Sequence, residues 1–160
     1  MRGRHALTLV ALLLVPSAAF PAQTFTATLS AAAVVPPTFS TGTATAHVVI
    51  DDAWTLLTYS VTYSGLIANV NNASLQHGPP GVNGDFVFQL ARSTGSQSGT
   101  FSGAINLSST PVVIADFLAG LYYVEIRTFV YTNGELRGQL SGAVTPARRG
   151  TWGRIKSMYR

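Results

Sequence analysis

Apolar and polar residues alternate along most of the chain from Phe25 onward, which is the pattern of half-buried β-strands. Pro36-Pro37 and the Gly78–Gly81 cluster interrupt the alternation and predict turns. Strands that recur at intervals of about 8–12 residues indicate an antiparallel sandwich or barrel. The predicted strands before the last hairpin cover residues 25–29, 42–51, 54–64, 69–76, 85–90 and 100–107.

The stretch from Gly120 to Leu140 carries the strongest local signal, because two alternating runs flank the dipeptide Asn133-Gly134. Asn-Gly between such runs predicts a β-hairpin. Along the first strand, alternation places one set of side chains on one face and a second set, which includes Glu125 and Arg127, on the other. The first set is Tyr122, Val124, Ile126 and Thr128, and the second is Leu121, Tyr123, Glu125, Arg127 and Phe129.

Residues 111–119 break the strand pattern and predict one short helix of two to three turns. Thr110 offers a capping hydroxyl, Pro111 suits the first helical position, and Gly120 stands just past the end. The β-branched run from Val112 to Ile114 leaves a strand open as the alternative.

The N-terminal residues predict a secretory signal peptide over residues 1–19. Arg2 and Arg4 precede the apolar run Ala6–Val15, which is shorter than the roughly 20 residues of a membrane-spanning helix. Small residues at positions 17–19 fit cleavage after Ala19, and Ala22 is the alternative. The alternative is that the leader is not cleaved and anchors the protein in the membrane. We therefore expect a secreted or periplasmic protein with a single domain over residues 23–144.

The formal charge of +4 comes from the two ends of the chain, because the part between Phe20 and Ala147 contains three arginines and all six acidic residues. A basic nucleic-acid-binding surface is therefore not predicted. Residues 145–160 form a basic tail, which we interpret as disordered. The alternative is a basic and aromatic patch that contacts an anionic envelope surface. Its basic residues are Arg148, Arg149, Arg154, Lys156 and Arg160.

The sequence offers few candidate catalytic or metal-binding side chains. No cysteine is present, which removes disulfides, thiolate catalysis and cysteine-ligated metals. No Ser-His-acid order and no glycine-rich phosphate loop stands out. Asp51-Asp52 is interpreted as a turn, and Glu135 follows the Asn-Gly pair. Asn72 and Asn106 begin sequons that matter only in a glycosylating host. Neither a cofactor nor a catalytic residue is predicted.

Three stretches together resemble the CHRD domain, which was first described in chordin and is widespread in secreted bacterial proteins. They are residues 25–37 (FTATLSAAAVVPP), residues 55–88 and residues 120–140, in that order. The resemblance covers roughly residues 25–142, and its specificity lies in the order of the motifs. It implies an extracytoplasmic immunoglobulin-like or superoxide-dismutase-like sandwich without an established enzymatic activity.

The chain departs from that family at the positions that suggest metal binding. The family carries a His-x-His pair where this chain has Ser74 and Gln76, a further His where it has Arg127, and often a Glu at the place of Val34. Arginine is not a metal ligand at ordinary pH, and its charge repels a cation. Metal binding of the kind that the family pattern suggests is therefore not expected.

The favoured interpretation of these positions is structural. If the strands over residues 70–77 and 121–129 approach each other, Ser74, Gln76, Glu125 and Arg127 form a hydrogen-bonded polar set. The functional alternative is a polar binding face for a carboxylate or a sugar, with Arg127 as a bidentate donor.

Two histidines remain after the leader, and they define the alternative metal site. His47 and His77 would bind copper or zinc only if the fold brought them together with a carboxylate such as Asp85.

The sequence thus predicts a secreted or periplasmic, non-catalytic binding or structural module with an unidentified protein or envelope component as its partner. A metal-binding redox or carrier protein and an envelope scaffold that works through the basic tail are the alternatives.

Overall fold

Two antiparallel sheets form a sandwich in the computed structural model, which confirms the prediction of an all-β fold. The structure describes residues 22–110 and 112–142, so the predicted leader, the boundary at residue 144 and the basic tail lie outside the described residues. The strands are β1 (Gln23–Leu29), β2 (Thr43–Ile50), β3 (Leu56–Ser64), β4 (Val70–His77), β5 (Asp85–Arg92), β6 (Gly99–Asn106), β7 (Tyr122–Thr128), β8 (Leu136–Gln139) and β9 (Ser141–Gly142). The strand order is β6-β3-β2-β1-β9 in one sheet and β5-β4-β7-β8 in the other.

Alternation along each strand produces the core. In β1, Phe25, Ala27 and Leu29 are buried while the threonines between them are exposed. Tyr122, Val124 and Ile126 of β7, which alternation places on one face, belong to the same core. Each fully buried large apolar side chain contributes roughly 1.5–3 kcal/mol to folding, so this shared core is the main stabilising term.

One short α-helix, α1 (Ile114–Leu118), occurs among the described residues, and it closes one end of the core. The Phe117 ring stacks on Tyr122 at 4.1 Å and lies 5.2 Å from the Phe25 ring. Within residues 22–110 and 112–142, no helix is long and apolar enough to cross a membrane.

The helix prediction over residues 111–119 is right in kind but wrong in extent and in its cap. The helix starts three residues later, at Ile114, and Val113 stands at its N-cap without a side-chain hydrogen bond. The hydroxyl of Thr110 donates instead to the Asn106 carbonyl at 3.0 Å, and the Val113 amide donates to the Tyr122 hydroxyl. The strand alternative for residues 112–114 is also wrong, because no strand covers these residues. Gly120 ends the segment with φ 70°, as predicted.

The predicted hairpin exists, but its connection is longer than a two-residue turn. β7 pairs with β8 from Tyr123↔Gln139 to Ile126↔Leu136, which leaves residues 129–135 as the loop. Gly134 lies at φ 129°, where a Cβ would stand 3.1 Å from Glu125 Cδ and from Val34 Cγ1. The positive φ favours glycine here, and the close packing against two other segments adds to that preference, although the residue is not part of a two-residue hairpin turn.

The two sheets are joined on one side by the end of β1. Ser30 and Arg137 exchange both backbone hydrogen bonds, at 2.9 and 3.1 Å, so β8 lies beside the chain that leaves β1. That chain turns through a short 3-10 helix (Ala31–Ala33) and continues to the cis peptide bond between Val35 and Pro36. The Val34–Pro37 segment is consequently held next to the outward side chains of β8.

Candidate functional site

The four polar residues singled out in the sequence meet on the outer face of the four-stranded sheet. β4 pairs with β7 so that Ser74 stands opposite Glu125, and Gln76 opposite Tyr123. The Gln76 Nε2 atom donates to Ser74 Oγ at 3.1 Å and to Glu125 Oε1 at 3.0 Å. Arg127 Nε donates to the same Glu125 oxygen at 2.7 Å. The structure therefore contains the hydrogen-bonded polar set, which we call the polar layer.

The members of the polar layer differ in exposure. Ser74, Gln76 and Glu125 are buried, whereas the Arg127 side chain is 34 % exposed. Burying a carboxylate is costly unless it is paired or hydrogen-bonded, and Glu125 Oε1 receives a cationic partner from Arg127 and a second hydrogen bond from Gln76. None of the four residues lines either of the clefts described below. The suggestion that this face itself binds a carboxylate or a sugar stays a prediction.

Tyr123 extends the polar layer, although the sequence interpretation did not assign it a role. Its hydroxyl donates to Gln76 Oε1 at 2.7 Å and accepts from the Gly84 amide at 2.9 Å. Gly84 must be glycine because a Cβ there would overlap the His77 carbonyl. The loop before β5 is thereby fixed over the sheet. The alternation of β7 already placed Tyr123 on the same face as Glu125, so the sequence could have predicted that Tyr123 joins the polar layer.

Arg137 and Gln139 were likewise missed, and they lie on the outer face of β8. The Arg137 guanidinium carbon lies 3.6 Å from the centre of the Tyr123 ring, and Nη2 donates to the Pro79 carbonyl at 2.9 Å. The Gln139 amide donates to the Gly78 and Gly120 carbonyls at 2.8 and 2.7 Å. Arg137 is 1 % exposed, so it is a buried cation held by an aromatic face and a carbonyl.

Glu135 is the second buried carboxylate, and no cation neutralises it among the described residues. Its Oε1 accepts from the Ser40 hydroxyl at 2.6 Å and from the Ile67 amide at 2.7 Å. Its Oε2 accepts from the Thr128 hydroxyl at 2.6 Å. Three donors from separate segments satisfy the carboxylate. Through them, the hairpin loop is connected to the segments that precede β2 and β4.

The alternative metal site is not assembled. His47 lies on the exposed face of β2 in the five-stranded sheet, whereas His77 and Asp85 pair across β4 and β5 in the other sheet. His77 Nε2 lies 3.0 Å from Asp116 Oδ2 and its ring packs on Tyr122. Over residues 22–110 and 112–142, no group of three or more histidine or acidic side chains is placed to hold a metal ion. The combination of His47, His77 and Asp85 is therefore wrong as a site.

Groups with shifted pKa values lie away from the polar layer. Hydrogen bonds from the Leu56 amide and from Thr55 lower the pKa of Asp51, which caps the turn between β2 and β3 as the sequence predicted. Burial raises the pKa of Tyr59, whose hydroxyl donates to the Leu90 carbonyl. Burial also raises the pKa of Tyr122, with a smaller opposing effect of the Val113 amide. These shifts are typical of structural groups.

Two clefts lie on either side of the Val34–Pro37 segment. The first has a volume of about 310 Å³ and is bounded by this segment, Phe39 and the hairpin loop over residues 130–134. The second has a volume of about 470 Å³, and its polar side chains are Arg137 and Gln139. We call them the Phe39 cleft and the Arg137 cleft.

Comparison with known proteins supports a single family. The family model of the CHRD domain matches residues 25–140, which include every strand from β2 to β8 and most of β1. No curated protein and no solved structure matches the chain.

Proposed function

The chain belongs to the CHRD domain family, and from this premise we propose that it is a non-catalytic binding module that acts outside the cytoplasm. The proposed binding region consists of the two clefts beside the Val34–Pro37 segment. Its ligand is held by loops that a rigid sandwich positions, which is a common arrangement in β-sandwich proteins.

The state of the acidic groups supports a role without catalysis. A general acid or base must reach a substrate atom within hydrogen-bond distance. Glu125 and Glu135 are buried, and Glu125 Oε1 and both Glu135 oxygens already accept hydrogen bonds from the protein. Asp51, Tyr59 and Tyr122, whose pKa values are shifted, line neither cleft.

The observation that carries the proposal is the pair of clefts around the Val34–Pro37 segment, in which the two prolines are exposed. Their volumes of about 310 and 470 Å³ lie within the range of small-molecule sites, roughly 300–1,000 Å³. Phe39 is 94 % exposed and Val130 is 60 % exposed beside the Phe39 cleft. Large apolar side chains that stand out at the rim of a cleft favour an apolar ligand or partner surface.

A titration with phenol, a small neutral probe, tests the binding region. We expect the backbone amide resonances of Gly81 and of the non-proline residues within 32–39 and 130–134 to shift in a saturable way in NMR spectra of the mature protein. Resonances on the exposed face of β2, such as that of Thr45, serve as the internal control. Shifts that are absent, or that spread evenly over the molecule, would contradict a binding region at these clefts.

Export is supported by the leader pattern at residues 1–19. We expect the protein recovered from the periplasm or the medium of a bacterial host to begin at Phe20, or at Gln23 if the alternative cleavage occurs after Ala22. Intact mass measurement separates these two chains from each other and from the uncleaved protein. A full-length mass in the membrane fraction would contradict the proposal of a released protein.

The metal-binding alternative has its own test. After loading with Zn²⁺ or Cu²⁺ and desalting, we expect less than about 0.1 equivalent of metal per mature chain, because Ser74, Gln76 and Arg127 replace the histidines of the family pattern. Stoichiometric retention of either metal would overturn the assignment of a metal-free binding module.

A further inference from the structure

Arg137 is a buried cation with an unused donor. Its Nη1 atom is buried and has no hydrogen-bond partner, while Nη2 is within reach of the Pro79 carbonyl and of Gln139 Oε1, at 2.9 and 3.5 Å. The ion pairs of the described residues are His77–Asp116 and Arg127–Glu125, so Arg137 has no carboxylate partner among them. An arginine cannot discharge by losing its proton, and a buried donor without an acceptor is destabilising. The residue therefore lacks an anion.

The charged residues of β7 and β8 agree with an unpaired cation at Arg137. Arg127 and Arg137 contribute two positive charges, and Glu125, whose Oε1 is already shared between Gln76 and Arg127, contributes one negative charge. Glu135 does not compensate, because its carboxylate is occupied by Ser40, Ile67 and Thr128. One positive charge remains at the Arg137 end of the face.

Arg137 also lines the larger cleft, so an anion has a place to bind. Apart from Arg137 and Gln139, the side chains of the walls are apolar or absent, from Ala32 to Val35, at Pro37, and at Pro80–Gly81. A mainly apolar cleft with one charged and one amide side chain is typical of sites that orient a ligand by its single polar end. The absence of a second basic side chain among the lining residues disfavours phosphate, which prefers several donors.

We propose that the Arg137 cleft binds a small organic monocarboxylate, whose carboxylate accepts a hydrogen bond from Arg137 Nη1 and whose apolar body lies against the Ala32–Pro37 segment. This inference rests on the proposed binding function and specifies its ligand class. The same carboxylate supplies the charge that Arg137 lacks and the acceptor that Nη1 lacks. Gln139 stands beside it as the second polar group of the cleft.

The test compares hexanoate with hexanamide, which have the same length and differ in charge. We expect hexanoate to bind the mature protein at least about tenfold more tightly in calorimetric titration, the scale of one charge-assisted hydrogen bond. The Arg137 guanidinium and Gln139 amide resonances should shift only with hexanoate. Equal affinity of the two probes would overturn the carboxylate inference and leave the binding function standing. No binding of either probe, together with no response to phenol, would overturn both.

Inorganic phosphate separates a monocarboxylate site from a general anion site. We expect phosphate to bind at least about tenfold more weakly than hexanoate, because it cannot use the apolar walls. Phosphate affinity equal to that of hexanoate would overturn the inference about the apolar body of the ligand.

Two tryptophan variants locate the site without removing the buried cation. Ala33 is exposed at the cleft wall, so Ala33→Trp should fill the cleft and reduce hexanoate affinity at least about tenfold. Thr45→Trp, on the exposed face of the other sheet, should leave that affinity unchanged. Arg137→Met should also abolish the preference for hexanoate, but the loss of a buried residue makes its folding uncertain, so Ala33→Trp decides the location. Unchanged hexanoate affinity of a folded Ala33→Trp variant would overturn the assignment of the site to the Arg137 cleft.

Discussion

Arg127 Nε donates a hydrogen bond of 2.7 Å to Glu125 Oε1, two residues away on the same face of β7. The two partners are not equivalent, because Glu125 is almost fully buried and the Arg127 side chain is 34 % exposed. Without the arginine, a buried carboxylate would keep only the Gln76 amide as a donor. Without the carboxylate, the arginine would still reach water. The stability of the polar layer therefore depends on which partner is removed.

Arg127→Met should lower the free energy of unfolding by about 1–2 kcal/mol, less than the value for a fully buried pair because the guanidinium is partly solvated. The matched control is Arg92→Met, since Arg92 is exposed on β5, and its effect should stay within about 0.5 kcal/mol. Urea unfolding measures both. In a double-mutant cycle with Glu125→Gln, a coupling energy near zero would contradict the pairing.

The polar layer was predictable because it depends on local alternation and on one strand pairing. Alternation along β7 sets Tyr123, Glu125 and Arg127 on one face, and the pairing of β4 with β7 brings Ser74 and Gln76 to it. The same reasoning placed Tyr122, Val124 and Ile126 together on one face, and the structure shows that this face lies in the core. Both results follow from the two-residue period of a strand, which a sequence shows directly.

The environments of Glu135 and Arg137 were not predictable in the same way, because their partners are distant in sequence. Glu135 binds Ser40 and Ile67, which are 95 and 68 residues away, and Arg137 binds the Pro79 carbonyl 58 residues away. No local pattern encodes such contacts. The Asn133-Gly134 signal predicted the hairpin correctly but not its longer loop, in which Gly134 has a positive φ and packs closely against Glu125 and Val34.

Glu135→Gln should destabilise the protein by about 2–4 kcal/mol, because an amide places a donor against groups that already donate and removes the charge that strengthens three hydrogen bonds. Asp52→Asn is the matched control, since Asp52 is exposed, and should change stability by less than about 0.5 kcal/mol. Urea unfolding at neutral pH compares the two variants. Equal, small effects would mean that Glu135 does not hold the loop.

Only one of the two sequons should carry a glycan when the protein is secreted by a eukaryotic host. Asn106 is exposed at the end of β6, whereas Asn72 lies inside the four-stranded sheet between β5 and β7, with a buried Oδ1 and with Ser74 buried beside it. We expect the folded protein to show one glycan, lost on enzymatic deglycosylation and absent in Asn106→Gln. A glycan on Asn72 in folded protein would contradict the position of β4.

Alkaline pH should destabilise the fold through its buried tyrosines. Burial raises the pKa of Tyr59 and of Tyr122 above the ordinary value of 10.0, so the folded state favours the protonated phenols. The resulting contribution to stability is fully present below the unfolded pKa near 10.0 and is lost as the pH rises through the higher folded values. The unfolded state releases protons first, which gives the decline its sign.

Tyr59→Phe separates this effect from general alkaline unfolding. At pH 8 the variant should be less stable by about 1 kcal/mol, because the 2.7 Å hydrogen bond to the Leu90 carbonyl is lost. Above about pH 10 the difference should shrink, since the wild type loses the tyrosine contribution and phenylalanine has none to lose. Urea midpoints measured at intervals between about pH 8 and pH 11 follow this convergence. Parallel curves for the two proteins would show that Tyr59 ionises as readily in the folded chain as in the unfolded one.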